Sequence, residues 1–212
     1  MARIGVLALQ GGYRSHLEVL RKLGHCAAEV RNRSDLTGVE GLVFPGGEST
    51  TQLLLIDRYG LGESLDQLVR GGTPVLATCA GLILAARRVT RPAQRSMNWL
   101  DIAVERNAWG RQVDSFEAET DAPVCWEPGE KDGPRLPLVF IRAPRITEVG
   151  PGVEVLATLE GEPILVRQGR VVGASFHPEL TSDSSVHLAL FGGSPLPNPP
   201  ILSRDKIDQI RV

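Results

Sequence analysis

Short apolar runs alternate with helically spaced stretches through the first half of the chain, and that alternation admits few architectures. Residues 4–9 form the first apolar run and Gly11-Gly12 supply a turn, after which residues 15–23 put Leu17, Leu20 and Leu23 on one helical face. Residues 27–30 and 42–44 are further strand candidates, the second ending abruptly at Pro45-Gly46-Gly47. Ser49 then opens a helix carrying Leu53, Leu54 and Ile56, and residues 61–70 predict another that stops at Gly71-Gly72. Residues 74–77 make the next strand and run straight through Thr78-Cys79-Ala80-Gly81 into a helix over residues 82–87. Units of this kind build a parallel sheet with helices on its faces.

The pattern changes in the second half. Residues 100–105, 115–118, 138–141, 153–159, 164–167 and 171–175 are short strand candidates separated by turn signals. They predict mixed or antiparallel sheet joined to the parallel core. The fold class expected is therefore α/β, a three-layer arrangement around a mostly parallel open sheet with added antiparallel strands. Residues 120–137, rich in proline and charge, read as a surface loop. Beyond Phe191, Pro195, Pro197, Pro199 and Pro200 exclude a helix and suit an extended linker, since proline lacks the amide and clashes with the preceding turn. Residues 203–212 suit a short helix or a disordered end. The expected organisation is one domain over residues 1–191 and a Pro/Gly-rich tail over residues 192–212.

Bulk properties exclude several function classes. A chain of 212 residues can bury one good core, and a net charge of −2 offers no electrostatic case for nucleic acid or an anionic membrane surface. No apolar run is long enough for a membrane helix. Cys26, Cys79 and Cys125 are an odd number without metal-ligand spacing, which suits reduced thiols and a cytoplasmic location. Arg87-Arg88 reads as a solvated helix end rather than a phosphate site.

Three local patterns could carry chemistry. The first is Cys79 at a strand-to-helix turn, flanked by the small residues Ala77 and Gly81; a nucleophile there stands clear of the sheet, and the helix N-terminus behind it favours the reactive thiolate. The alternative is a buried structural cysteine. The second is Ser175-Phe176-His177-Pro178-Glu179-Leu180. Pro178 favours extended backbone at His177, and residues two apart in an extended stretch point the same way, so Glu179 can orient a His177 base. A solvated histidine near a strand end is the bland reading. The third is Phe44-Pro45-Gly46-Gly47-Glu48-Ser49, whose glycines let backbone amides turn toward a developing oxyanion, with Gly47 and Ala80 as candidate donors. The same residues also fit a plain turn with Ser49 as N-cap and Gln52 closing a capping box. In a parallel sheet the strand C-terminal ends share one edge, where all three patterns can converge.

Leu9-Gln10-Gly11, Pro45-Gly46-Gly47-Glu48-Ser49-Thr50, Thr78-Cys79-Ala80-Gly81 and Phe176-His177-Pro178-Glu179-Leu180 together resemble the class I glutamine amidotransferases. Val104-Glu105-Arg106-Asn107, Gly110-Arg111-Gln112-Val113-Asp114-Ser115-Phe116-Glu117 and Phe140-Ile141-Arg142-Ala143-Pro144 are similar to one branch, the glutaminase subunits of pyridoxal 5'-phosphate synthase. The resemblance runs from about residue 3 to residue 190 and implies a flavodoxin-like fold with a Cys79–His177–Glu179 triad. It further implies glutamine contacts at Gly47, Glu48, Ser49, Arg106, Ile141 and Arg142, with no cofactor and no metal. Ammonia released from L-glutamine would pass to a (β/α)8-barrel pyridoxal 5'-phosphate synthase subunit, whose product, not cofactor, is pyridoxal phosphate. Ala77 stands where the wider pattern has glycine, and the tail does not resemble the family's closing helix.

Other readings stay open: a glutaminase serving a different synthase, a cysteine peptidase on a related fold, or a non-catalytic regulator that binds a partner. His16, His25 and His187 are expected in surface or packing roles, Cys26 and Cys125 as bystanders, and Trp99, Trp109 and Trp126 as packing residues.

Overall fold

The computed structural model describes residues 1–106, 108, 115–121 and 135–192. Within them the first half folds as βα units: β1 (Arg3–Leu7), α1 (Tyr13–Lys22), β2 (Cys26–Val30), β3 (Gly41–Phe44), α2 (Ser49–Arg58), α3 (Gly62–Arg70), β4 (Val75–Thr78) and α4 (Ala80–Ala85). Eight strands follow, β5 (Ala86–Thr90), β6 (Leu100–Glu105), β7 (Phe116–Asp121), β8 (Arg135–Phe140), β9 (Arg145–Val149), β10 (Glu154–Leu159), β11 (Glu162–Gln168) and β12 (Val171–Ala174), before α5 (Ser185–Phe191).

The main sheet runs β2-β1-β3-β4-β12-β11-β10. Its first five strands are parallel, and β11 and β10 extend it antiparallel. The order β2-β1-β3-β4-β12 is the doubly wound arrangement in which the order of strand addition reverses between β1 and β3, the point at which folds of this kind place a site at the strand C-termini. β5, β6 and β9 form a smaller sheet, and β7 pairs with β8 as a separate hairpin.

Alternation along the central strands sends side chains into two separate cores. Leu42, Phe44, Val75 and Ala77 face one core with Leu53 and Ile56 of α2, Leu65 of α3, and Leu82 and Leu84 of α4. Val43 and Leu76 face the other, with Leu17 and Leu20 of α1, Val186 and Phe191 of α5, and Leu136, Leu138 and Phe140 of β8. Parallel strands covered on both faces read as continuous apolar runs, which is why the sequence marks them so clearly. The three layers expected are present.

Several boundaries differ. The helix expected over residues 82–87 is α4, which begins at Ala80 and ends at Ala85; Ala86 turns extended and starts β5. Every residue of α4 is buried, so it has no amphipathic stripe to mark its limits. Arg87 and Arg88 lie in a strand, where they pair with Asp101 and Glu148 rather than ending a helix. The ends of the supposed loop over residues 120–137 belong to the β7–β8 hairpin, and the rest of it, with Cys125, Trp109 and Trp126, lies outside the described residues. So does the tail, apart from Gly192. β9 went unmarked because only Ile146 of its five residues is buried.

Candidate active site

The C-terminal ends of β1, β3, β4 and β12 lie on one edge and carry the loops singled out above. β4 ends at Thr78, and Cys79 makes the turn into α4 with φ 48° and ψ −102°. A side-chain-bearing residue rarely holds such a backbone, at a cost of about 1–3 kcal/mol. The surroundings impose it: the Cys79 amide donates to Ala174 O at 2.9 Å, and its carbonyl accepts the first helical bond from Ile83 N at 3.1 Å. Gly81 lets α4 approach β3 so closely that a Cβ there would fall 2.1 Å from Phe44 O. The sulfur is almost buried and lies 3.8 Å from Ile141 O. Ala80 is the first residue of α4, where backbone amides have no partner within the helix.

His177 follows β12. Its amide donates to Val139 O at 2.8 Å, and its ring Nδ1 lies 2.7 Å from Glu179 Oε1. Facing a carboxylate oxygen at that distance, Nδ1 carries the proton. The ring also engages the Cys79 side chain. Burial alone would lower the His177 pKa; the Cys79 and Glu179 side chains overcome that and raise it to about 10. Burial would likewise raise the Glu179 carboxyl, yet His16 and His177 together hold it well below the usual carboxylate range. Pro178 starts a 3-10 turn, so Glu179 reaches back to the ring from that turn rather than from extended chain.

The glycine loop packs against this pair. A Cβ on Gly46 would lie 2.3 Å from His177 Cε1, and one on Gly11 would lie 2.0 Å from Gly46 O. Gly12 N donates to Gly46 O at 3.0 Å, tying the β1 loop to the β3 loop. Gly47, with φ 153°, is exposed beside it.

The capping box at Ser49 is not formed. Glu48 is the N-cap, its carboxylate accepting from the Thr50 and Thr51 amides at 3.2 and 2.7 Å. A carboxylate suits the positive end of a helix dipole better than a hydroxyl. Those donors hold the Glu48 pKa down to about 2 against the opposing effect of burial. Ser49 is instead the first helical residue, its hydroxyl donating to Gln94 Oε1 at 3.0 Å. Gln52 Nε2 donates to Pro45 O and Gln10 O, both at 3.1 Å. Arg106 Nη2 lies 3.1 Å from Glu48 Oε1 and its side chain is only 13% exposed. Arg142 is exposed at φ 44°, directly after Ile141.

The pattern of the SNO glutamine amidotransferase family matches residues 6–191. The chain belongs to that family. It is 51% identical over 187 residues to "Pyridoxal 5'-phosphate synthase subunit PdxT" of Corynebacterium jeikeium (strain K411), a match that covers 87% of this chain and 92% of that one. Against the protein of the same description from Thermotoga neapolitana it is 46% identical over 185 residues, covering 87% and 95%. A solved structure described as "Crystal structure of glutamine amidotransferase" superposes with a TM-score of 0.80 at 45% identity, covering 89% of this chain and 98% of that chain.

Family membership does not by itself expose every residue that builds the site. Expected in surface or packing roles, His16 and His187 are fully buried and hydrogen-bonded: His16 Nδ1 lies 2.9 Å from His187 Nε2, and His16 Nε2 lies 3.2 Å from Thr78 Oγ1. His16 Nε2 is also 3.3 Å from Glu179 Oε2. The signal available was a polar residue at the i−4 position to Leu20, on the apolar stripe of α1. His25 is half-buried against the edge of Phe191, and Cys26 is exposed. Trp99 packs on Phe44 and donates through Nε1 to Asp66, as expected for a packing residue.

Proposed function

We propose that this chain is the glutaminase subunit of a pyridoxal 5'-phosphate synthase, hydrolysing L-glutamine to L-glutamate and ammonia. The reading rests above all on Cys79, held at a strained strand–helix turn beside a His177 whose other nitrogen is fixed by Glu179. The names carried by relatives of 46–51% identity support the pathway.

In the proposed reaction Cys79 Sγ attacks the side-chain amide carbon of glutamine. The oxyanion takes hydrogen bonds from the Gly47 and Ala80 amides, where losing one such donor costs about 3 kcal/mol. His177, charged in the resting pair, gives its proton to the leaving nitrogen as the C–N bond breaks and ammonia departs. Water then attacks the glutamyl thioester, His177 takes its proton, and glutamate leaves as Cys79 is regenerated. Glu179 keeps the ring oriented throughout. Arg106 and Arg142 hold the α-carboxylate by charge-assisted hydrogen bonds, with Glu48 keeping Arg106 in place, and Ser49 and Ile141 complete the pocket through their backbone. Residues 1–191 form the amidotransferase domain, and residues 192–212 a tail appended to it. Ammonia passes to a (β/α)8-barrel synthase subunit docked at the mouth of the site. Among the described residues no helix is long and apolar enough to cross a membrane, and the free thiols of Cys26 and Cys79 suit the cytoplasm.

Glutamate release measured with and without the barrel subunit, beside Cys79→Ala, tests this reading. Cysteine-dependent release that the partner stimulates supports it. Release indifferent to the partner would break the assignment to this pathway, and none in either case, with the partner bound, would leave a regulator.

A further inference from the structure

Behind the triad lies a buried polar chain that the reaction above does not use. His16 from α1 approaches Glu179 Oε2, and Thr78 from β4 and His187 from α5 bind His16 in turn. His16, Thr78 and His187 are completely shielded from solvent. Each polar group there must find a partner inside the protein or incur a desolvation cost.

The proton positions follow from that requirement. Glu179 Oε1 takes the His177 Nδ1–H, leaving Oε2 facing His16 Nε2 at 3.3 Å. A bare imidazole nitrogen there would set lone pair against lone pair, so Nε2 carries a proton. The contact is a charge–dipole approach rather than an aligned hydrogen bond, since Thr78 Oγ1 takes the same N–H and Oε2 has no hydrogen-bond partner among the described residues. On the far side His187 Nδ1 has no partner among the described residues, and an orphaned acceptor is tolerated more readily than an orphaned N–H. Nδ1 of His187 is therefore the bare nitrogen, and its Nε2–H donates to His16 Nδ1 across 2.9 Å. Donors then run in one direction, from His187 to His16 to Glu179, and meet the donor from His177 at the same carboxylate.

We propose that His16 is a positioning residue of the glutaminase, holding the Glu179 carboxylate from behind so that its other oxygen stays aimed at His177. This rests on the glutaminase reading above. Without the His16 N–H, Oε2 would face no donor among the described residues, and the carboxylate could rotate or take up a proton. The groups facing Glu179 are His16 from α1 and His177 from its own loop; those facing His16 are Glu179, Thr78 and His187.

Two side-chain amides separate this role from simple packing. His16→Gln places its Nε2 where the imidazole Nε2 was and still donates to Glu179. His16→Asn places its nitrogen at the Nδ1 position and does not. For glutamine hydrolysis by the full chain with its barrel partner, His16→Asn lowers kcat about 10-fold, the low end of the range for a donor lost from a charged group, because the contact is not an aligned hydrogen bond. KM stays within about twofold, and the acid limb of the kcat–pH profile moves to higher pH as Glu179 becomes easier to protonate. His16→Gln keeps kcat within about threefold and leaves the limb in place. Equal losses in both variants, or no loss in a folded His16→Asn, would overturn the proposal. An independent check needs no variant at the site: 15N NMR of ring-labelled wild-type chain at neutral pH should find His16 protonated on Nε2 alone and His177 on both nitrogens. Protonation of His16 on Nδ1 alone would refute the chain of donors even if the Asn variant failed to fold. A wild-type chain that releases no glutamate sinks the glutaminase reading instead, and the NMR result still decides the role of His16.

Discussion

Gly46→Ala is the smallest change that should disable the proposed site while leaving all three candidate triad residues in place. The new methyl would lie 2.3 Å from His177 Cε1, 3.0 Å from Nδ1 and 3.3 Å from Nε2, whereas ordinary contact starts at 3.4 Å. The ring must therefore withdraw by about 1 Å, the difference between 3.4 and 2.3 Å. It cannot do so freely, because its Nδ1 is bound to Glu179 and its backbone amide to Val139 O. A misplacement of about 1 Å costs catalysis on the order of 100-fold, and overpacking a buried site costs about 1–3 kcal/mol of stability. We expect kcat to fall about 100-fold with KM changed less than about threefold, and the unfolding midpoint to drop by a few degrees. Glutamate release by the chain with its barrel partner, measured beside thermal unfolding, gives both quantities. Gly24→Ala is the control: at φ 83° with nothing among the described residues within 4 Å, it loses stability to backbone strain and leaves kcat unchanged. A folded Gly46→Ala enzyme with kcat near wild type would refute the claim that this close approach sets the position of the base.

Cys79→Gly should abolish glutamate release and unfold at a higher temperature than Cys79→Ala. Glycine relieves the positive-φ strain that alanine retains, worth about 1 kcal/mol or more, and calorimetry of the two variants reads the order directly. Glu48→Ala removes both the α2 cap and the anchor of Arg106. We expect a loss of about 1 kcal/mol in denaturant unfolding and a raised KM for glutamine, with kcat less affected. Burial, aided by His16 and opposed by Glu179, pushes the His187 pKa down from 6.5 to about 3. A base with a depressed folded pKa stays neutral while the unfolded chain takes up the proton, so its penalty is absent above pH 6.5 and grows as pH falls. At pH 5 that amounts to about 2 kcal/mol, from 1.5 pKa units at 1.36 kcal/mol each. His187→Phe should therefore lose less stability than wild type between pH 7 and pH 5; parallel denaturation curves for the two would defeat this account.

How much of this was legible beforehand follows from which interactions are local. The parallel core was readable because its strands are buried on both faces and appear as unbroken apolar runs at residues 4–7, 42–44 and 75–77. β5 and β9 were not, since Arg87 and Arg88 are stabilised by Asp101 and Glu148, partners that no local pattern reveals. The helix cap moved from Ser49 to Glu48 for a local reason that spacing alone does not rank, namely the charge of the carboxylate. The candidate triad was legible because Cys79, and His177 with Glu179, each sit at a strand end with turn chemistry around them. His16 and His187 were hidden because the residues that give them a purpose are far away in sequence, Glu179 standing 163 positions after His16.

The same distinction explains why glycines at this edge read as turns yet act as spacers. Gly11, Gly46 and Gly81 all follow strand ends, and a turn would be reason enough for each. What distinguishes them is the atom each would strike: Gly46 O for Gly11, His177 Cε1 for Gly46 and Phe44 O for Gly81. Those contacts join four parallel strands that the chain reaches at very different times. Cys79 depends on the first core, through α4 pressed against β3, while Glu179 depends on the second, through α1 and α5. The candidate triad comes together at the strand ends, where both packing arrangements terminate. The strain at Cys79 can persist there because neither face can relax toward it: Gly81 already touches Phe44 on one side, and Gly46 already touches His177 across the other.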